Sequence, residues 1–564
     1  MKPSRRGRPG LVLGLALAVL ASCVIVAASC GRSGLEQVRL DSGPIVGAYE
    51  EIDGQRVWSF KGIPYAAPPV GDLRWQPPQP VEPWTEPRDC TEFGAACPQP
   101  AMFEMFSLAA GPTDEDCLYL NVWSPAKSAE EGLPVMIWIH GGSFETGAGS
   151  MDIYDGRYLA AKGVVVVTIN YRLGPFGFLA HRALSAESAA GTSGNYGLLD
   201  QIAALAWVQA NIAGFGGDPD NVTVFGESAG GISILDLLVS PPAEGLFRRA
   251  IVESGIMLDQ GFGLSMAATL EGAEAAGEEF AEKLGVDASG DVAAQMRAKT
   301  PEALLGAAAQ LAGYKDSLDR ILIWKPVVDG YVLPDLPTRL WAAGRQQRVS
   351  LLIGSNADEG NLFLAGLTMS RAQYEAHVRE IFGGYADEAL ALYPAGGTTS
   401  ATTAMSRVLT EVGFASTARF AARVMSADAS GEGDTSAAAA LGAAATAGAE
   451  AATAATYLYE FTRVPFHNPL GAFHAVELPY VFGTADLFAG LGIVRQADRD
   501  LSATIMGYWT RFAATGDPNG EGAPTWPKYE ETSDLHLELG RTIGSGSGLY
   551  EEACDLADRM RRLE

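Results

Sequence analysis

The segment NVTVFGESAGG, from Asn221 to Gly231, constrains the fold more than any other stretch of the chain. A short β-branched apolar run meets Gly226-Glu227-Ser228-Ala229-Gly230 and passes directly into residues of helical pattern. The spacing G-x-S-x-G between a strand and a helix predicts a sharp turn that exposes the serine hydroxyl at a helix N-terminus. Small residues are required there because strand and helix pass close to one another. The backbone N–H groups of the helix start favour negative charge developing beside that hydroxyl. The pattern is short enough to arise by chance, so its weight comes from its surroundings.

Those surroundings read as alternating strands and helices. Leu133 to Ile139 and Gly163 to Tyr171 are continuous apolar runs of strand length, the pattern of strands buried on both faces. His140-Gly141-Gly142-Ser143-Phe144 follows the first of them, and a glycine pair there can turn backbone N–H groups toward one point in space. Leu199 to Ile212 has helical spacing and is closed by Phe215-Gly216-Gly217-Asp218-Pro219. Together with the serine turn, this order predicts a doubly wound, mostly parallel α/β sheet, with the serine at a strand's C-terminal end. Further strands are expected at 249–254, 349–354 and 457–462, and helices at 267–284, 301–311, 370–382, 402–425 and 499–515. Gly43 to Trp84 reads as short strands and turns wrapping this body. Between Ser426 and Thr456 the chain is almost all Ala, Gly, Ser, Thr and acid, which predicts a mobile insertion or a weak helix with no core of its own.

At 564 residues the chain can bury roughly three quarters of its unfolded surface and needs no staples. Its net charge of −27 argues against nucleic acid and anionic membrane surfaces as partners. Lys2, Arg5, Arg6 and Arg8 precede an apolar run from Leu11 to Ser29, so residues 1–30 read as an export signal, with 31–42 as a short linker and 43–564 as a single domain. Leu20-Ala21-Ser22-Cys23 and Ala27-Ala28-Ser29-Cys30 both resemble lipoprotein cleavage boxes. Cys30, at the end of the apolar run, is the favoured lipidation site, and a lipid there would tether the protein to a membrane surface. Export makes disulfides the natural use of Cys90, Cys97, Cys117 and Cys554. A Cys97–Cys117 bridge would close a loop of about 20 residues and leave Cys90 to pair with Cys554.

A serine hydroxyl needs a base, normally histidine, oriented by a carboxylate, and in a fold with this turn the chain order is Ser, acid, His. Six histidines exist, and four follow Ser228. His377 falls in an amphipathic helix and His536 in a polar tail, so both read as surface residues. His467 and His474 both occupy loops after the strand at Tyr457, and spacing does not choose between them. Asp358 and Glu359, at a strand end beside Gly360, are well-placed carboxylates.

The runs HGGSF, EDCLYLNVW, GNYGLLDQ, FGGDPDNVTVFGESAGG, NADEG and FHAVELPYVFG, in this order, resemble the type-B carboxylesterases, relatives of cholinesterases and of bacterial para-nitrobenzyl esterases. The resemblance spans about Gly43 to Trp526. It implies an α/β-hydrolase fold, with a large mostly parallel central sheet flanked by helices, and hydrolysis of small-molecule carboxylic esters through an acyl-enzyme. Matched motif to motif, it makes Ser228 the nucleophile, Glu359 the orienting acid and His474 the general base. Gly142, Ser143 and Ala229 become the oxyanion donors and Glu227 and Ser254 the supporting residues, and the resemblance also supports the Cys97–Cys117 bridge. It implies no metal and no organic cofactor. Ser143 stands where many members have a third glycine, a change that leaves a backbone donor in place. No tryptophan occurs between Cys97 and Cys117, where cholinesterases use one to hold a quaternary ammonium, so a choline ester is not the expected substrate. A lipase acting on longer-chain esters, and an adhesion-type member without catalysis, are the alternatives within the same family.

Overall fold

The computed structural model describes residues 35–100, 110–258, 266–312, 323–430, 454–465, 468–487 and 494–561. The export signal with Cys23 and Cys30, His467, and most of the low-complexity stretch lie outside the described residues.

The core is an 11-stranded sheet. In chain order its strands are β1 (Ala48–Ile52), β2 (Gln55–Pro64), β3 (Tyr119–Ser124), β4 (Leu133–Ile139), β5 (Val165–Ile169), β6 (Gly217–Glu227), β7 (Arg249–Glu253), β8 (Ser350–Asn356), β9 (Thr456–Phe461), β10 (Leu535–Leu539) and β11 (Gly544–Ser547). Across the sheet they run β11-β10-β9-β8-β7-β6-β4-β5-β3-β2-β1. The seven strands from β10 to β5 in this order are mutually parallel, and antiparallel strands close both edges.

Alternation along β4 explains its unbroken apolar sequence. Val135, Ile137 and Ile139 enter the core on one face, and Met136 and Trp138 enter a second core on the other. Both faces are covered by helices: α1 (Tyr196–Asn211), α2 (Ala229–Leu237) and α3 (Ser416–Ser430) contribute to the first core, and α4 (Gln496–Thr515) contributes Ile505, Trp509 and Phe512 to the second. A last helix, α5 (Glu551–Arg561), packs on α3. Burial on both faces is what forces a parallel strand to be apolar throughout.

Three expectations need correction. The stretch 31–42 is no mere linker, because from Leu35 onward it belongs to the fold: Leu35, Val38 and Leu40 are buried, and Gln37–Arg39 pairs with Pro44–Val46. His536 is a buried residue of β10, not part of a polar tail. The low-complexity stretch begins as the end of α3, which continues to Ser430, one of the two readings its composition allows. Cys97 and Cys117 are bonded, but Cys90 and Cys554 are free and buried. The carbonyl of Cys90 accepts from the Lys61 N–H on β2, whereas Cys554 lies in α5, whose partner α3 packs on β8 and β9. Most of the sheet's width separates them, and a disulfide needs Cα atoms within about 7 Å.

Candidate active site

Four neighbouring strands end together at one edge of the sheet, and each delivers a side chain or turn to the same place. β6 leads into Ser228, β7 into Ser254, β8 into Glu359, and the loop after β9 carries His474. Adjacent parallel strands bring these residues together although up to 246 positions separate Ser228 from His474 in sequence.

Ser228 occupies the predicted turn with φ 54° and ψ −121°, immediately before α2. Its backbone is held from both sides, since its N–H donates to the Glu253 carbonyl at 3.0 Å and its carbonyl accepts from Ile232 N–H at 2.8 Å. The turn tolerates this strained conformation because its glycines admit β4: a Cβ on Gly230 would lie 2.0 Å from the Ile139 carbonyl oxygen, and one on Gly226 2.6 Å from it. The Ser228 side chain makes no capping bond to the helix and is partly exposed.

Glu359 is fully buried and both its carboxylate oxygens are engaged. Oε1 accepts from the Ser254 hydroxyl at 2.5 Å and from Asn356 N–H at 2.7 Å, and Oε2 lies 2.6 Å from His474 Nδ1. A carboxylate can only accept, so this contact places the imidazole proton on Nδ1 and leaves Nε2 with its lone pair. That nitrogen stands 3.1 Å from Glu227 Oε1, outside hydrogen-bonding alignment. The rings of Phe363 and Phe414 pack against the imidazole at 4.9 and 5.0 Å between centroids, giving this wall an apolar lining.

The glycine turn after β4 completes the arrangement. Gly142, Ser143 and Phe144 all have positive φ, and a Cβ on Gly141 would lie 3.0 Å from Ser228 Cβ. The N–H groups of Gly142 and Ser143 donate to no partner among the described residues. His140 is structural: its Nδ1 lies 2.8 Å from the Gly141 carbonyl, its ring stacks on Tyr171, and burial pushes its pKa down to about 4.

Electrostatically the site is a nest of buried acids. Burial favours neutral His474, but the carboxylates of Glu227 and Glu359 outweigh it and raise the imidazole above its ordinary value, to about 9. Glu227 is itself raised, by burial and by Glu359, against the pull of His474. Behind them, Glu253 is pushed up to about 8 by burial, although Trp509 Nε1 donates to it at 2.9 Å. Glu477 is raised further by burial and by the neighbouring carboxylates, and it accepts from Asn356 Nδ2. Asn356 also donates to the Phe473 carbonyl at 2.9 Å, which ties the acid loop to the histidine loop.

The family resemblance implies Ser228, Glu359, His474, Glu227 and Ser254 as site residues, and the structure brings them to the same ends of four adjacent strands. Neither the resemblance nor the residue pattern singles out Glu253, Glu477, Asn356, Phe363 or Phe414. Asn356 and Glu477 sit inside the runs NADEG and FHAVELPYVFG, but nothing in a sequence distinguishes a buried glutamate from an exposed one until the packing is known.

The model of the carboxylesterase family matches residues 35–557. The chain is 39% identical over 511 residues to the fumonisin B1 esterase of Sphingopyxis macrogoltabida, covering 89% of this chain and 87% of that one. It is 40% identical over 496 residues to the para-nitrobenzyl esterase of Bacillus subtilis (strain 168), covering 86% and 92% respectively. Among solved structures, a thermophilic para-nitrobenzyl esterase superposes with a TM-score of 0.78 at 37% identity, over 93% of this chain and 99% of that one. With the central sheet, the serine turn and the full motif order in agreement, the chain belongs to the carboxylesterase family.

Proposed function

We propose that Ser228, His474 and Glu359 are the nucleophile, general base and orienting acid with which this carboxylic ester hydrolase cleaves its substrates. The observation that carries the assignment is the His474 Nδ1 to Glu359 Oε2 contact beside a serine held at a strand-to-helix turn. Nε2 of His474, freed by that contact, takes the Ser228 proton as Oγ attacks the ester carbonyl. The charge that develops on the carbonyl oxygen is met by the N–H groups of Gly142, Ser143 and Ala229, donors worth about 3 to 4 kcal/mol each in comparable sites. His474 then protonates the leaving alcohol, and water repeats the cycle on the acyl-enzyme to release the acid. The apolar wall of Phe363 and Phe414 suits the hydrocarbon part of a soluble ester better than a charged group. Hydrolysis of short-chain p-nitrophenyl esters is the test: Ser228→Ala should lose about 10⁴-fold or more in kcat while remaining folded. Turnover by the variant at the wild-type rate would refute the assignment.

The protein is further proposed to be exported and tethered through Cys30, with Cys23 as the alternative. The basic residues and apolar run at the N-terminus and the Cys97–Cys117 disulfide support this reading. Intact-mass analysis of the membrane fraction should show a lipid-modified N-terminal cysteine; an unprocessed Met1 there would exclude it.

A further inference from the structure

We infer that the outer edge of the sheet carries a divalent transition-metal site of zinc type, formed by Glu460, His536 and Glu538. The three side chains come from adjacent parallel strands: Glu460 on β9 is the register partner of Glu538 on β10, and His536 lies two residues before Glu538 on the same face. One potential ligand atom from each lies within 4.8 Å of the others. An imidazole with two carboxylates is a donor set suited to zinc and to neighbouring transition metals, and unsuited to the all-oxygen preference of calcium.

Two further observations point to a ligand there. His536 is only 4% exposed, yet it makes no hydrogen bond among the described residues, and its Nδ1 is completely buried. A buried ring nitrogen without a partner is an exception that calls for a reason, and the nitrogen turned toward Glu538 is the other one, Nε2, which likewise makes no hydrogen bond among the described residues. Secondly, the neighbouring strand leaves the space open. β11 places Gly546 opposite His536 and Gly544 opposite Glu538. A Cβ on Gly546 would lie 2.5 Å from His536 Nε2 and 3.4 Å from Glu538 Oε1, so any larger residue would fill the place on which the two side chains converge.

Glu460 is held in place by the Tyr550 hydroxyl, which donates to Oε1 at 2.5 Å and leaves Oε2 available. Glu538 is exposed and can close the remaining distance, since ligand atoms around tetrahedral zinc stand about 3.4 Å apart. Bound metal would cross-link β9 and β10 and so stiffen the edge of the sheet, through side chains that are not among those of the ester site. The expected consequence is on binding and stability, not on turnover.

The test is calorimetric titration of Zn²⁺ into the EDTA-treated, dialysed protein, with melting curves at each end point. The wild type should bind one equivalent that His536→Gln abolishes and Glu538→Gln weakens by about tenfold or more. It should also melt at a higher temperature with Zn²⁺, an increase absent from His536→Gln. Both variants should hydrolyse p-nitrophenyl esters like the wild type in metal-free buffer. Glu538 is exposed, so Glu538→Gln decides the question even if loss of the buried imidazole impairs folding. Absence of binding by the wild type at millimolar Zn²⁺ overturns the inference. So does binding unchanged in stoichiometry and affinity in the variants, which would place the ion elsewhere, for instance at His474.

Discussion

At the scale of single residues, the site depends on which atom of each side chain is left unpaired. Both oxygens of Glu359 are engaged, by Ser254, Asn356 and His474, so its task is fixed as orientation. Glu359→Gln would keep the volume but oppose an N–H to the imidazole N–H, and kcat should fall by about 10⁴-fold with the fold intact. Glu227 acts differently, as a charge 3.1 Å from the working nitrogen. Because the base must be neutral and its pKa is raised, to about 9, kcat/KM should climb with pH along a limb lying above the ordinary histidine value. Glu227→Gln removes one of the charges that raise it, so the limb should shift to lower pH in the pH–rate profile. An unmoved limb would mean that another group controls it. Ser143 is the opposite case, since only its backbone is used: Ser143→Gly suits the positive φ of 57° and should leave kcat/KM within a few-fold of wild type.

At the scale of elements, the serine turn works because β4, β6 and α2 meet without side chains between them. Gly230→Ala would drive a methyl group to 2.0 Å from the Ile139 carbonyl oxygen, and neither backbone can give way without moving the nucleophile. The expected result is loss of both stability and activity, read as a lowered Tm with loss of ester turnover. The Cys97–Cys117 bridge spans a sequence separation of 20, and in the chain-entropy account such a loop contributes about 3 kcal/mol. Cys97→Ser paired with Cys117→Ser should therefore lower the denaturation midpoint by a matching amount. Cys90→Ser should not behave as the loss of a cross-link, because Cys90 is free.

At the scale of the whole molecule, stability should depend on pH through buried acids. Glu253, raised to about 8, keeps its proton in the fold but loses it in the unfolded chain near pH 4.3. The folded form thus binds more protons between those values, and stability falls as pH rises through that window. Buried Asp236 acts in the same direction. On the acid side, Asp498 and Asp534 are lowered: burial opposes this, but hydrogen bonds from Arg463, Tyr480 and the Arg495 backbone, and from Arg419 and Tyr529, outweigh it. Their contribution is lost only as pH falls below the ordinary aspartate range. Tm should be greatest in mildly acidic buffer and decline toward pH 8, and the net charge of −27 should make added salt stabilising at the alkaline end.

Local chemistry determined much of this in advance. The β-branched run before Gly226, the continuous apolar strands at Leu133–Ile139 and Val165–Ile169, and the helical period of Tyr196–Asn211 follow from short-range pattern, because the burial of both sheet faces is written into each strand separately. Motif order, carried by resemblance, selected His474 over His467, which spacing alone did not. What a linear chain does not contain is the order of strands across the sheet. Only that order brings β6, β7, β8 and β9 side by side, gathers Glu227, Glu253, Glu359 and Glu477 into one buried nest, and separates Cys90 from Cys554. The same order turns His536 from an apparent tail residue into a buried ligand candidate beside Glu460. Burial, and with it every pKa shift and unpaired nitrogen, is a property of neighbours, and the neighbours are decided by tertiary packing.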